Sequence, residues 1–161
     1  MRVVVIGGGA AGMIAAITAA KEGNDVTLVE KNSSLGKKIK ITGKGRCNLT
    51  FDGDIDDFKS NIVKNYKFMY SSFNKFSNKD VVEYFNNLGV KTKVERGGRV
   101  FPVSDDANEI VTALKNQLKL YNVNILYNSS LIDLVVENNK IIGVKLKDGK
   151  ILNCNKCIIA V

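Results

Sequence analysis

The sequence predicts an α/β fold whose parallel sheet is accompanied by an antiparallel β-meander. Residues 3–20, VVVIGGGAAGMIAAITAA, read as a buried strand, a glycine turn and a helix of small residues. Residues 25–30, DVTLVE, read as a second strand that ends in an acid. Apolar runs at roughly 131–137, 140–147 and 150–154, parted by Asn138-Asn139 and Asp148-Gly149, read as three strands joined by hairpin turns.

The opening run carries no charge between Arg2 and Lys21 and imitates a signal peptide, with a basic start and the small-residue stretch AAITAA. Its composition argues otherwise. It holds glycines at 7, 8, 9 and 12 and no Leu or Phe, and each glycine costs about 1 kcal/mol in a helix interior. A membrane span of ~20 apolar residues is therefore a poor fit. Val3 to Ile6 is β-branched throughout, as in a strand covered on both faces. Gly7, Gly9 and Gly12 then stand in G-x-G-x-x-G spacing ahead of a helix ending near Gly23. In that arrangement Gly7 permits the turn, Gly9 lets backbone N–H groups approach a diphosphate, and Gly12 allows close helix–strand packing. The N–H groups and dipole of the helix N-terminus favour the anion.

A dinucleotide site places an acid at the end of the second strand, on the ribose hydroxyls. Glu30 falls there, eighteen residues past Gly12. It would repel a 2′-phosphate, which favours FAD or NAD over NADP at this position. Lys31 stands at the adenine edge or in solvent. Residues 32–50, NSSLGKKIKITGKGRCNLT, are polar and aperiodic and read as a functional loop. Lys37, Lys38 and Arg46 could reach a diphosphate from it, and Gly43 and Gly45 would admit a flat ring.

Beyond the loop, Ile55, Phe58, Ile62, Tyr66, Met69 and Phe73 recur in steps of three and four, predicting one amphipathic helix with its aromatics in the core. Ser77 and Asp80 form a capping-box pattern for a helix ending near Gly89. Residues 90–104 read as a hairpin turning at Gly97-Gly98. Ser104 is placed to cap a helix over 105–121, after which Asn122 to Tyr127 reads as a third parallel strand. The chain closes on a further apolar strand, CIIAV.

Composition is that of one ordinary globular domain: 161 residues, 45% hydrophobic and 25% charged, with a net charge of +8. Much of that charge sits in Lys31, Lys37, Lys38, Lys40, Lys44 and Arg46, with no acid among them, which suits a phosphorylated ligand. The three cysteines and absence of histidine provide no metal site, since zinc needs four ligands. Cys154 and Cys157 form a C-x-x-C pair between two expected strands, without the helix N-terminus that activates a redox dithiol, and read as structural.

Three pieces, VVVIGGGAAGMIAA, VTLVEKNSSLGKKIKITGKGRCNLT and GRVFPVSDDANEIVTAL, together resemble the N-terminal part of the bacterial NAD(P)/FAD-dependent oxidoreductases of the aminoacetone oxidase-like and BaiN type. The most specific segment is GKGRCN. The resemblance covers nearly the whole chain and implies the glutathione-reductase-like, Rossmann-type FAD-binding fold in three layers. It assigns Gly7, Gly9, Ala11 and Gly12 to the diphosphate, Glu30 to the ribose and Lys31 to the adenine side. It assigns Lys38, Gly43, Arg46, Cys47 and Asn48 to the diphosphate or flavin, and Leu131 to adenine through its backbone. Lys44 and Phe51 depart from the family pattern, where a small residue and an asparagine are frequent. Family members continue past IIAV into a substrate domain and a segment that closes the FAD fold. Residues 1–161 are thus expected to be the N-terminal portion, with a helical insertion at about 54–89.

The resemblance implies an FAD-dependent oxidoreductase moving a hydride to or from a small organic substrate, with NADH or NADPH as electron donor. No residue is assigned to catalysis. Cys47 reads as pocket lining, having no base or second cysteine beside it in sequence. Two other readings stay open: an NAD-binding or non-catalytic dinucleotide module, and a flavin-dependent RNA-modifying protein supported by the net charge. No nucleic-acid signature is present, so a small-molecule partner is expected, and no nucleic acid or membrane. The expected location is the cytoplasm.

Overall fold

The chain was analysed as a computed structural model, which describes residues 1–161 apart from the side chains of residues 58 and 59. It divides into two compact units: Met1–Ile39 with Leu114–Val161, and Lys40–Ala113.

The first unit is built on the β-branched opening strand. β1 (Arg2–Ile6) is followed by α1 (Ala10–Lys21) and β2 (Asp25–Val29). β6 (Asn124–Leu126) lies beside β2, and β10 (Lys156–Ile159) lies on the other side of β1. All pair in parallel, in the order β10-β1-β2-β6, with Val4 opposite both Cys157 and Thr27. The central position of β1 explains why Val3 to Ile6 are all buried. β7 (Leu131–Glu137), β8 (Lys140–Leu146) and β9 (Ile151–Asn153) make the expected antiparallel meander. Asn138 and Asn139 take φ of 49° and 59° at its first turn, values that asparagine tolerates better than most residues.

One core cluster joins the sheet to the meander: Val4, Ile6 and Val29 pack with Val144, Leu146 and Cys154. Strand alternation puts Val3 and Val5 on the other face, toward α1, whose Met13, Ala16 and Ile17 are buried. The layers are therefore helix, parallel sheet and meander, the three-layer arrangement implied by the resemblance.

The second unit contains β3 (Thr50–Phe51), α3 (Ile55–Ser60), α4 (Tyr66–Lys75), α5 (Asn78–Asn87), β4 (Thr92–Glu95) and β5 (Arg99–Pro102). Its sheet runs β3-β5-β4, all antiparallel, with the β4–β5 hairpin turning through Gly97 and Gly98 at φ of 77° and 69°. The buried Asn78 side chain donates to the carbonyls of Phe51 and Gly53, both at 2.8 Å, and so ties α5 to the end of β3. α6 (Ala107–Leu120) is divided between the units at Ala113 and Leu114.

Three expectations are corrected. The segment 32–50 is not all loop: Lys37–Ile41 form α2 and Thr42–Gly45 a 3-10 turn, because the buried Ile39 gives this polar stretch an anchor. The single helix expected from Ile55 is two, α3 and α4, parted by residues 61–65, the last of which, Asn65, takes the left-handed conformation at φ 58°. Its aromatics do not form a core stripe. α4 buries no residue: of the stripe, Tyr66 and Met69 are exposed and Phe73 is half-buried; the Phe58 side chain lies outside the described residues. Helical period identifies a face but not whether anything covers it. Last, Ser104 is not the direct cap of α6. The helix begins two residues late, and Asp106 accepts from the Asn108 backbone N–H at 2.8 Å, while the Ser104 hydroxyl donates to Glu109.

Candidate functional site

The candidate site of the first unit is the passage from β1 into α1. Gly7 has φ 103° and its N–H donates to the Val29 carbonyl at 2.8 Å, closing the turn onto β2. A Cβ on Gly7 would stand 2.5 Å from the Ala160 carbonyl oxygen, and a Cβ on Gly12 would overlap the Gly7 carbonyl oxygen. These two glycines are required by backbone packing, as the motif predicts. Gly9 differs: a Cβ there meets nothing within 4 Å. It is the N-cap of α1, with φ −80° and ψ −171°, and no described side chain caps the helix. Ala10 and Ala11, next along, are exposed. The site thus presents a helix N-terminus, uncapped and without acids in its first turn, opening onto space beside a residue that lacks a side chain.

Glu30 lies directly beside this turn and is 6% exposed. Its Oε2 accepts from the Gly8 N–H at 2.7 Å, and its Oε1 accepts from the Asn32 backbone N–H at 2.7 Å and from Asn32 Nδ2 at 2.5 Å. Gly8 is part of the same packing, because a Cβ there would press on Leu35 and on the Glu30 carboxylate. Neither Gly8 nor Asn32 is distinguished by the motif spacing. The role of Gly8 comes from a contact across the chain, although a third glycine inside G-x-G is a visible hint, and that of Asn32 from a local turn back onto Glu30. The Gly36 N–H also donates to the Gly8 carbonyl at 2.8 Å, holding the following segment against the turn.

Lys31 and Lys38 are exposed, while Lys37 Nζ donates to Asn32 Oδ1 at 2.9 Å. Leu131 begins β7 opposite Leu146 and packs its half-buried side chain on the sheet–meander core. The chain just before it is fastened to the acid's neighbourhood: the Ser129 N–H donates to the Glu30 carbonyl at 2.9 Å and the Asn128 N–H to the Asn32 carbonyl at 3.1 Å. Gly7, Gly9, Ala11, Gly12, Glu30 and the approach to Leu131 are therefore gathered around the C-terminal ends of β1 and β2.

Gly43, Arg46, Cys47 and Asn48 belong to the second unit. Gly43, Lys44, Gly45 and Cys47 take φ of 57°, 59°, 89° and 62°. Gly43 has a steric reason, since a Cβ there would be 2.9 Å from the Phe101 ring. The Arg46 guanidinium lies 4.1 Å from the Phe101 ring centroid, with Nη1 2.8 Å from Glu95 and 3.3 Å from Asp105. Lys93 completes the group at 2.5 Å from Asp105 and 3.8 Å from Glu95. The Glu95 hydrogen bond holds the Arg46 proton more firmly than usual, and the Lys93 hydrogen bond holds the Asp105 carboxyl below its ordinary range. Arg46 is thus engaged with two carboxylates of its own unit.

Cys47 is buried, and burial raises its thiol pKa against an opposing hydrogen bond with Thr42. The Asn48 amide satisfies its surroundings in one orientation, in which its nitrogen donates to the Thr50 and Val100 carbonyls at 3.0 and 3.2 Å. Burial pushes the Cys157 thiol up to about 11, which agrees with a structural C-x-x-C pair. Among the described residues there is no cluster able to hold a metal ion, and no helix is long and apolar enough to cross a membrane.

Comparison with known proteins agrees with this geometry. Residues 1–161 match the family described as HI0933-like protein Rossmann domain. The chain is 37% identical over 134 residues to a 3-dehydro-bile acid delta(4,6)-reductase of Clostridium scindens, covering 77% of this chain and 30% of that protein. It is 28% identical over 158 residues to the ribosomal RNA dihydrouridine synthase of Escherichia coli, covering 98% and 38%. Among solved structures, the open conformation of a flavocytochrome c3 fumarate reductase superposes with a TM-score of 0.66 at 20% identity, over 98% of this chain and 33% of that one. The chain spans about a third of the length of the curated relatives it matches.

Proposed function

We propose that this chain, which belongs to the HI0933-like Rossmann-domain family, is the nucleotide-holding part of an FAD-dependent oxidoreductase. The observation that carries the reading is the open space at Gly9 beside the uncapped start of α1. A diphosphate fits there on steric grounds because no Cβ intrudes, and on electrostatic grounds because unpaired N–H groups and the positive end of the helix dipole favour an anion. Gly7 and Gly12 keep the turn tight enough to aim those N–H groups. Glu30, at the end of β2, is placed for the ribose hydroxyls; its oxygens accept three N–H bonds and keep lone pairs for further donors.

When bound, FAD supplies a ring that accepts or delivers a hydride. The protein's task on this side is to bind and orient the adenosine diphosphate half. A small organic substrate is supported by the relative named as a bile-acid reductase; NADH or NADPH is proposed as the electron donor. The test is to purify the full-length protein and identify the nucleotide released on denaturation. FAD, with flavin absorbance in the native protein, is the expected result. NAD without flavin would leave only a dinucleotide module.

A second reading, action on RNA, is favoured by one surface. Residues 60–79 contain Lys64, Lys67, Lys75 and Lys79, all exposed, and no acid. Between these lysines α4 exposes Tyr66, Phe68 and Tyr70, a combination that suits stacking and phosphate neutralisation on single strands. The ribosomal RNA dihydrouridine synthase relative supports it. A steep salt dependence of oligonucleotide binding by the full-length protein would favour this reading, and no binding at low salt would remove it.

A further inference from the structure

The Glu30 carboxylate does not stand alone at the end of β2. One neighbouring residue, Asn32, supplies two of its three hydrogen bonds, through its backbone N–H and through Nδ2. The orientation of the Asn32 amide is fixed from both ends. Its nitrogen faces the carboxylate, and its oxygen accepts from Lys37 Nζ at 2.9 Å. Reversing the amide would set oxygen against carboxylate and nitrogen against ammonium, so one arrangement is strongly favoured. The backbone of Asn32 is itself held, since its carbonyl accepts from Asn128. The chain Lys37–Asn32–Glu30–Gly8 therefore connects an exposed ammonium to the N–H of the glycine turn.

We propose that Asn32 is a positioning residue for the nucleotide: it fixes the Glu30 carboxylate in the rotamer that faces the ribose, and Lys37 fixes Asn32. This rests on the FAD reading above. With Oε1 occupied by Asn32 and Oε2 by Gly8, the carboxylate plane is set before any ligand arrives, and the ribose hydroxyls meet a preorganised acceptor. Without the Asn32 side chain the carboxylate keeps its bonds to the Gly8 and residue-32 backbone N–H groups but loses the Nδ2 donor that Lys37 holds in place, and its terminal torsion is less restrained. Asn32 touches neither flavin nor substrate in this proposal. It acts through Glu30.

The test compares FAD with an FAD analogue lacking the adenosine 2′-hydroxyl, measuring the affinity of each for the full-length apoprotein by calorimetry. Wild type is expected to prefer FAD. Asn32→Ala should weaken FAD by about tenfold, the worth of about one charge-assisted hydrogen bond, while leaving the deoxy analogue nearly unchanged, so that the preference collapses. Lys37→Met, a change at an exposed position, should reduce the preference in the same direction by less, and keeps the test decisive if Asn32→Ala does not fold. Equal losses for both ligands, or no loss for either, would overturn the proposal. A wild type that binds both ligands equally would overturn it while leaving the FAD reading intact, and a wild type that binds neither would overturn both.

Discussion

The carbonyl oxygen of Gly7 occupies the space that a Cβ on Gly12 would need, so the turn and the first turn of α1 are in direct backbone contact. Gly9, between them, meets nothing. One motif thus contains two glycines demanded by the fold and one, Gly9, at which a Cβ would meet no protein atom.

Replacing Gly12 by alanine should therefore destabilise the fold by about 1–3 kcal/mol, since the obstructing atom is backbone and cannot swing away. Gly9→Ala should change stability by less than about 0.5 kcal/mol, as its φ of −80° suits any residue. Its FAD affinity should nonetheless fall at least about tenfold. Urea unfolding and FAD titration of the two variants in the full-length protein check the contrast. Equal stability losses would contradict it.

The capping box of α5 makes a prediction about acid. The Asp80 carboxylate accepts from the Ser77 backbone N–H at 2.6 Å and from the Ser77 hydroxyl at 2.7 Å, and these bonds hold its pKa below the ordinary value. A depressed carboxylate contributes stability that is fully present above its unfolded pKa of about 3.9 and is lost as pH falls through the lower folded value. Ser77→Ala should cost about 1 kcal/mol at neutral pH. Asp80→Asn should lower stability at neutral pH and flatten its decline below about pH 4, read from urea midpoints followed by circular dichroism.

The extent to which the sequence foretold these features follows from where their causes lie. β1, the glycine turn, β2 with Glu30, the β4–β5 hairpin and the meander were legible because each depends on local pattern: β-branched runs, glycine spacing, and asparagines or glycines that accept positive φ. The break over 61–65 was not, because the apolar period runs through it, with Ile62 keeping the four-residue step between Phe58 and Tyr66. Nor did helical spacing reveal that Tyr66 and Met69 are uncovered, since covering is a property of the partner. At the site, the motif named Gly7, Gly9, Gly12 and Glu30. Gly8 escaped it because its hydrogen bond to Glu30 exists only once β1 and β2 are side by side, and Asn32 because its bonds to Glu30 come from the turn just after β2, which the motif spacing does not cover.

The thiols should be inert. Burial raises the pKa of Cys47 and Cys154, and takes that of Cys157 to about 11 with the charge of Cys154 adding to the effect. At about pH 8 only about one Cys157 in a thousand would be thiolate. Iodoacetamide treatment of the native protein near neutral pH, followed by mass spectrometry, should find all three slow relative to a free cysteine peptide. Rapid alkylation of Cys157 would indicate an activated dithiol.

The most direct measurement is of the backbone amides at the start of α1. In the full-length apoprotein labelled with nitrogen-15, titration with FAD should shift the resonances of Gly9, Ala10, Ala11 and Gly12, and adenosine diphosphate alone should shift the same set. Saturating binding of FAD that leaves those four amides unmoved would contradict the account.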